Sequence, residues 1–201
     1  ELLAGDLFQL GNMLHGWFAG WFGMSREQRE AERASGRMQA RLERFCALWN
    51  EAFTPPLWPE AAAHLPAMSD ALEKAVQDWF DKREEIRPGD ELILRTEWPL
   101  EHRLEENANG VAASRLDSMR VDLMAEVRRA DGTPGPCLIV DHKCGNYKGR
   151  PDLKEHLTET YGQRQSEYLR ALCAMGRSCE CWLHLPLEGR MLELTLNDGE
   201  I

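Results

Sequence analysis

The sequence predicts an α/β domain in which a sheet-forming C-terminal half stands behind a helical N-terminal half. Three observations carry this. Apolar residues at helical spacing fill the first 88 positions, strand-like alternation with Gly and Pro turns begins after Pro88, and a long helical stretch separates the last two strands from the earlier ones.

A first helix is expected from about Asp6 to Gly23, where Phe8, Leu10, Leu14, Trp17, Phe18, Trp21 and Phe22 cover most of its circumference. Ser25, with Gln28 three residues later, reads as the capping start of a second helix reaching Ala52. Pro55-Pro56 breaks the chain, and a third helical region covers Glu60 to Lys82, kinked or restarted at Pro66. Pro88-Gly89-Asp90 then turns into a strand at Glu91 to Trp98. Arg120 to Arg129 alternates, with Val121, Leu123, Ala125 and Val127 on one face and Asp122, Met124, Glu126 and Arg128 on the other. Ala130 to Pro136 holds an Asp-Gly pair and two prolines, a turn signal, and Cys137 to Val140 is a short buried-strand run. Gly145 to Arg150 is a loop, Asp152 to Met175 a long helix, and Cys179 to Leu185 and Arg190 to Leu196 two further strands. The chain reads as one domain, with residues 1–88 as its helical part and 89–201 as its α/β core.

The chemistry is concentrated at the hairpin. A symmetric hairpin centred between Asp131 and Gly132 opposes Asp122 to Asp141. Directly opposed Cβ atoms lie about 5 Å apart, so two carboxylates there either repel or share a cation. Mg²⁺ suits such a site, since it takes oxygen ligands and leaves room for a phosphate oxygen, and Mn²⁺ is expected to substitute. The backbone carbonyl of His142 can add a ligand, because its side chain points away from those of Asp141 and Lys143. Lys143, two residues after Asp141, reaches the same side of the strand, where it can orient an attacking water or stabilise developing charge.

Four stretches in order resemble the RecB-like nucleases of the PD-(D/E)xK superfamily, which include the nuclease domains of helicase-nucleases. Gly11-Asn12-Met13-Leu14-His15 is similar to the family's leading G-x-x-x-H, which implies His15 at the metal site. Arg120-Val121-Asp122-Leu123 resembles the strand with the first aspartate ligand, and Asp141-His142-Lys143 the D-x-K with the second ligand and the catalytic lysine. Tyr161 to Leu172 resembles the helix that follows, which implies that Arg164, Gln165 and Tyr168 support the site or contact nucleic acid. The resemblance implies a mixed central sheet flanked by helices, a restriction-endonuclease-like core. Two positions depart from the pattern. Met119 stands where a glycine is usual, which leaves Asp117 as a rival first ligand, and Arg164 stands where a glutamine is expected four residues before Tyr168.

His64, His102, His156 and His184 have no partner at metal-ligand spacing and read as structural or surface residues. Cys173, Cys179 and Cys181 lack a C-x-x-C core, so the iron–sulfur cluster of some related proteins is not expected. All six cysteines read as reduced thiols.

Composition bounds the rest. A formal net charge of −10 speaks against a broad nucleic-acid surface, although Lys143, Lys148, Arg150, Lys154 and Arg164 gather after the second aspartate. No run of 18 apolar residues occurs, and Asp6, Gln9, Asn12 and His15 interrupt the first helix, so no membrane span or signal peptide is expected and a cytoplasmic protein is. A chain opening on glutamate suggests a fragment of a longer protein. The expected function is metal-dependent hydrolysis of DNA, of exonuclease type, in end processing, repair, recombination or defence, with a helicase domain or subunit as partner. The alternative is a nuclease-like domain that binds DNA or protein without cutting.

Overall fold

The computed structural model describes the backbone of residues 4–49, 58–108 and 111–194, and the side chains of 8–49, 63–101 and 118–194. Helices α1 (Ala4–Phe22), α2 (Arg26–Ala34), α3 (Arg37–Trp49) and α4 (Trp58–Asp81) precede strands β1 (Glu91–Ala108), β2 (Val111–Arg128) and β3 (Pro134–His142). Helix α5 (Leu153–Ala174) leads to β4 (Cys179–Leu185) and β5 (Arg190–Glu193). The strands lie in sequential order, antiparallel except for the β3–β4 pair, which is parallel and joined through α5. The chain therefore has the expected α/β architecture, a mixed sheet flanked by helices.

Each face of the sheet carries its own core. Trp17, Phe18, Trp21 and Phe22 of α1 and Leu72 and Val76 of α4 pack on Leu123, Ala125, Val127, Leu138 and Val140. On the other face Leu157, Tyr168, Leu169 and Leu172 of α5 pack on Met124, Ile139, Cys181 and Leu183. A strand covered on both faces must be apolar throughout, which is why Cys137 to Val140 reads as a continuous run. Trp17 Nε1 donates to Ser69 Oγ at 2.8 Å, and Thr96 Oγ1 to the Ala19 carbonyl at 3.2 Å, so α1 is tied to both α4 and β1.

The capping box at Ser25 and Gln28 forms as its sequence indicates, with bonds of 2.8 and 3.2 Å. The helix that it starts is shorter than expected. It ends at Ala34, where Ser35 Oγ bonds back to the Ala31 carbonyl and Gly36 takes a left-handed φ of 69°, so that α3 begins anew at Arg37. Helix α4 runs through Pro66 as one element. Residues 50–52 of the expected second helix and 195–196 of the expected last strand lie outside the described residues.

Strand β1 continues ten residues past its expected end at Trp98, paired with β2 as far as Ala108↔Val111. The pairing also corrects the expected faces of β2. Leu123, Ala125 and Val127 face the α1 side, but Val121 packs with the α5 side. On β1 the same change occurs, Leu92 and Leu94 lying on the first side and Trp98 and Leu100 on the second. Between them sits Glu97, with a φ of 49°, which turns the strand over. A left-handed non-glycine residue costs of order 1–3 kcal/mol, so the surrounding packing must hold it.

The six-thiol expectation is also corrected. Cys137 and Cys179 stand directly opposite each other on β3 and β4, with Cα atoms 4.6 Å apart, and form a disulfide. Cys46, Cys144, Cys173 and Cys181 are thiols. Among the described residues no helix is long and apolar enough to cross a membrane. Thiol titration of protein denatured without reductant should find those four cysteines, rising to six after reduction. Six reactive thiols at the outset would contradict the Cys137–Cys179 bond.

Candidate metal centre

The hairpin register opposes the acids as expected, although the turn itself is off-centre: Arg128 pairs with Pro134, and a bulge between Glu126 and Arg128 restores the expected register from Glu126↔Cys137 onward. Leu123 pairs with Val140, which leaves Asp122 across from Asp141 one step further on. There the ladder ends, and the His142 N–H donates instead to Asp122 Oδ2 at 2.8 Å. On the other side of β2, Asp122 lies between the pairs Thr96↔Leu123 and Trp98↔Val121, so it also faces Glu97. Three carboxylates thus stand abreast on β1, β2 and β3.

Helix α1 lays His15 across them. Its Nδ1 lies 3.5 Å from Asp122 Oδ2, and its Nε2 lies 3.0 Å from the His142 carbonyl oxygen, to which an Nε2–H donates. Ligand atoms of His15, Glu97 and Asp122 all fall within 4.8 Å of one another. Gly11, one turn earlier, brings α1 close to the strand end, since a Cβ there would meet Cys144 Cβ at 3.4 Å.

Asp141, the expected second ligand, is not one of those three mutually close groups, although it interacts directly with Asp122 and has partners of its own. It is buried, and its Oδ2 accepts from Gln165 Nε2 and Lys143 Nζ, each at 2.7 Å. The Lys143 ammonium also lies 4.8 Å from the centre of the Tyr161 ring. Burial first, and the adjacent Asp141 carboxylate second, push the Asp122 carboxyl up from its ordinary 3.8 to about 8. With no cation bound, Asp122 would keep a proton at neutral pH, which relieves the repulsion that a cation would otherwise relieve.

His142 contributes its carbonyl to this cluster and turns its ring away. The ring is buried against Phe18, with centroids 4.8 Å apart, and its Nδ1 lies 3.0 Å from His184 Nδ1. Burial holds both imidazoles down, His142 well below its ordinary value and His184 to about 4. Both rings are neutral, with one Nδ1–H donating to the other ring. His184 is thus the structural support of the strand end that carries Asp141 and Lys143.

On α5, Gln165 braces Asp141, while Tyr168 Oη donates to the Arg120 carbonyl at 2.9 Å and fixes the strand just before Asp122. Arg164 Nε donates to the same hydroxyl at 2.8 Å. Asp117 is paired with His102, five residues along β2, or roughly 17 Å from Asp122 at strand spacing. Its side chain lies outside the described set, but its backbone position separates it from Asp141.

Glu97 is the residue that sequence reasoning missed. Its signal was present, because a hairpin centred on Asn109-Gly110 opposes Glu97 to Asp122. Its carboxylate is now paired with the exposed Arg120, with Nη1 3.3 Å from Oε2.

The donor set fits a hard divalent ion: carboxylates, a carbonyl and one imidazole, with no thiolate among them. No protein-family model matches the sequence, and no curated protein matches it.

A carboxyl whose folded pKa is raised stabilises the fold below its ordinary value and loses that contribution as pH rises through the folded value. The metal-free protein should therefore lose stability between about pH 4 and about pH 8. Asp122→Asn should remove this part of the slope in chemical denaturation. By the same logic Mn²⁺ binding at pH 7 should expel a proton, readable by calorimetry in buffers of different ionisation enthalpy. Binding with no proton release would contradict the assignment.

Proposed function

We propose that this chain is a divalent-metal-dependent DNA nuclease, resembling the RecB-like nucleases, that hydrolyses phosphodiester bonds. The observation that carries the reading is the clustering of His15, Glu97 and Asp122 beside the Asp141–Lys143 pair. Isolated acids or a lone D-x-K would carry little. Here a ligand cluster and a lysine held by a buried acid meet on neighbouring strands.

His15, Glu97, Asp122 and the His142 carbonyl would hold Mg²⁺ or Mn²⁺, with Asp141 beside them. The ion would supply charge neutralisation at the phosphate and lower the pKa of the attacking water. Lys143, steered by Asp141 and the Tyr161 ring, orients that water and stabilises the negative charge that accumulates as the phosphorus is attacked. Gln165 keeps Asp141 from turning, and Tyr168 keeps β2 in register beneath the phosphate.

The formal charge of −10 favours a second reading, a nuclease-like domain that binds a partner without cutting. Incubation with end-labelled linear and with circular single-stranded DNA, in Mg²⁺, Mn²⁺ or EDTA, separates the two. Metal-dependent loss of the linear substrate alone would mark an exonuclease, suited to end processing beside a helicase. No cleavage of any DNA in either metal would favour the binding module. The Cys137–Cys179 disulfide pulls against the expected cytoplasmic setting.

Asp141→Ala and Lys143→Ala should each lower the cleavage rate by on the order of 10²–10³ or more with the fold retained. Wild-type rates in Lys143→Ala would remove the lysine from the mechanism. For metal binding, Asp122→Asn and Glu97→Gln should weaken Mn²⁺ in calorimetric titration while Asp117→Asn leaves it unchanged. The opposite ranking of the two aspartates would move the site along β2.

A further inference from the structure

Three neighbouring side chains of α5 reach the strand ends, and framing accounts for two of them. Gln165 holds Asp141 and Tyr168 holds the Arg120 carbonyl. Arg164 holds no strand. It is exposed, its Nε donates to Tyr168 Oη at 2.8 Å, and its guanidinium carbon lies 5.5 Å from the centre of the Tyr168 ring. Among the described residues no carboxylate forms an ion pair with it. The nearby cations are differently placed, since Lys143 is paired with Asp141 at 2.7 Å and Arg120 with Glu97 at 3.3 Å.

This difference matters for any anionic substrate. A phosphodiester strand approaching Glu97, Asp122 and Asp141 meets three acids, and even with a bound ion it needs a further cation to hold the phosphates on either side. A guanidinium fixed through Nε has its outer edge, Nη1 and Nη2, still to offer, and that edge matches two phosphate oxygens. The Tyr168 hydroxyl that holds the guanidinium is itself bonded to the Arg120 carbonyl, two residues before Asp122, which places the charge beside the centre. A glutamine at this position could keep the bond to Tyr168 but could not supply the charge.

We propose that Arg164 binds a backbone phosphate of the substrate strand next to the one being cleaved, an assignment that rests on the nuclease reading. Tyr168 is then a positioning residue, since it aims the guanidinium.

The test uses Arg164→Gln and Arg164→Lys in the whole chain. KM and kcat are measured for DNA cleavage across a salt series, and a fluorescein-labelled oligonucleotide is titrated in Ca²⁺ by anisotropy. Arg164→Gln should raise KM about tenfold, the loss of one charge-assisted contact, with kcat changed less than about threefold. The slope of log affinity against log salt should shrink by about 0.7–0.9, the value of one phosphate contact, and Arg164→Lys should restore that slope. Melting temperature and Mn²⁺ affinity should match the wild type in both variants. Unchanged KM and salt slope in Arg164→Gln would overturn the proposal, as would a loss that simply tracks a lower melting temperature. Should the wild type cut no DNA, the nuclease reading fails on that result alone. The anisotropy arm then decides Arg164, and either equal oligonucleotide binding by wild type and Arg164→Gln or no binding by the wild type overturns the assignment.

Discussion

Glu97, Asp122 and Asp141 sit side by side on three adjacent strands, and like charges so close would force the strand ends apart if nothing opposed them. Most of the surrounding structure can be understood as that opposition. The His142 N–H and a retained proton serve Asp122, Lys143 and Gln165 serve Asp141, and Arg120 serves Glu97. Each of these partners needs its own support, which is why both faces of the sheet are covered. Helix α1 delivers His15 and packs Phe18 on the His142 and His184 rings, while α5 delivers Gln165 and Tyr168. Buried polar groups in such a network strengthen one another when satisfied and are costly when not, so the site and the fold share their stability.

The turnover of the β1–β2 pair at Glu97 serves the same centre. Before it the two strands offer Leu92, Leu94, Leu123 and Ala125 to the α1 core, and after it they offer Trp98, Leu100 and Val121 to the α5 core. The two acids at the change of face, Glu97 and Asp122, are the ones that join His15 in the ligand cluster. Backbone strain of this kind persists only where neighbours over-determine it. Here Thr96 is bonded to α1 on one side, and Trp98 is packed against the α5 core on the other.

The parts of this arrangement that were legible in the sequence are those set by local chemistry. The turn signal at Asp131-Gly132 located the β2–β3 hairpin, while a bulge between Glu126 and Arg128 brings the strands into the register that pairs Asp122 with Asp141, and the apolar run of β3 announced a strand covered on both faces. Features that depend on distant register were not read. Period-2 alternation assumes an unbroken pleat, so it put Val121 on the wrong face once Glu97 turned the strand over. The Cys137–Cys179 bond follows from a parallel crossover that no cysteine spacing reveals. Gly36 split a helix whose sequence otherwise continued. Glu97 is legible only through the pairing of β1 with β2, which alternation within a single strand does not give.

One ion would join these residues: His15, Glu97, Asp122 and the His142 carbonyl would hold it together, with Lys143 and Asp141 alongside. Anomalous diffraction at the manganese edge, from crystals grown in Mn²⁺, tests this most directly. The account predicts a peak enclosed by those four groups, with the Arg120–Glu97 pair opened and Lys143 still on Asp141. Saturating Mn²⁺ with no peak there, or a peak held by other residues, would contradict it.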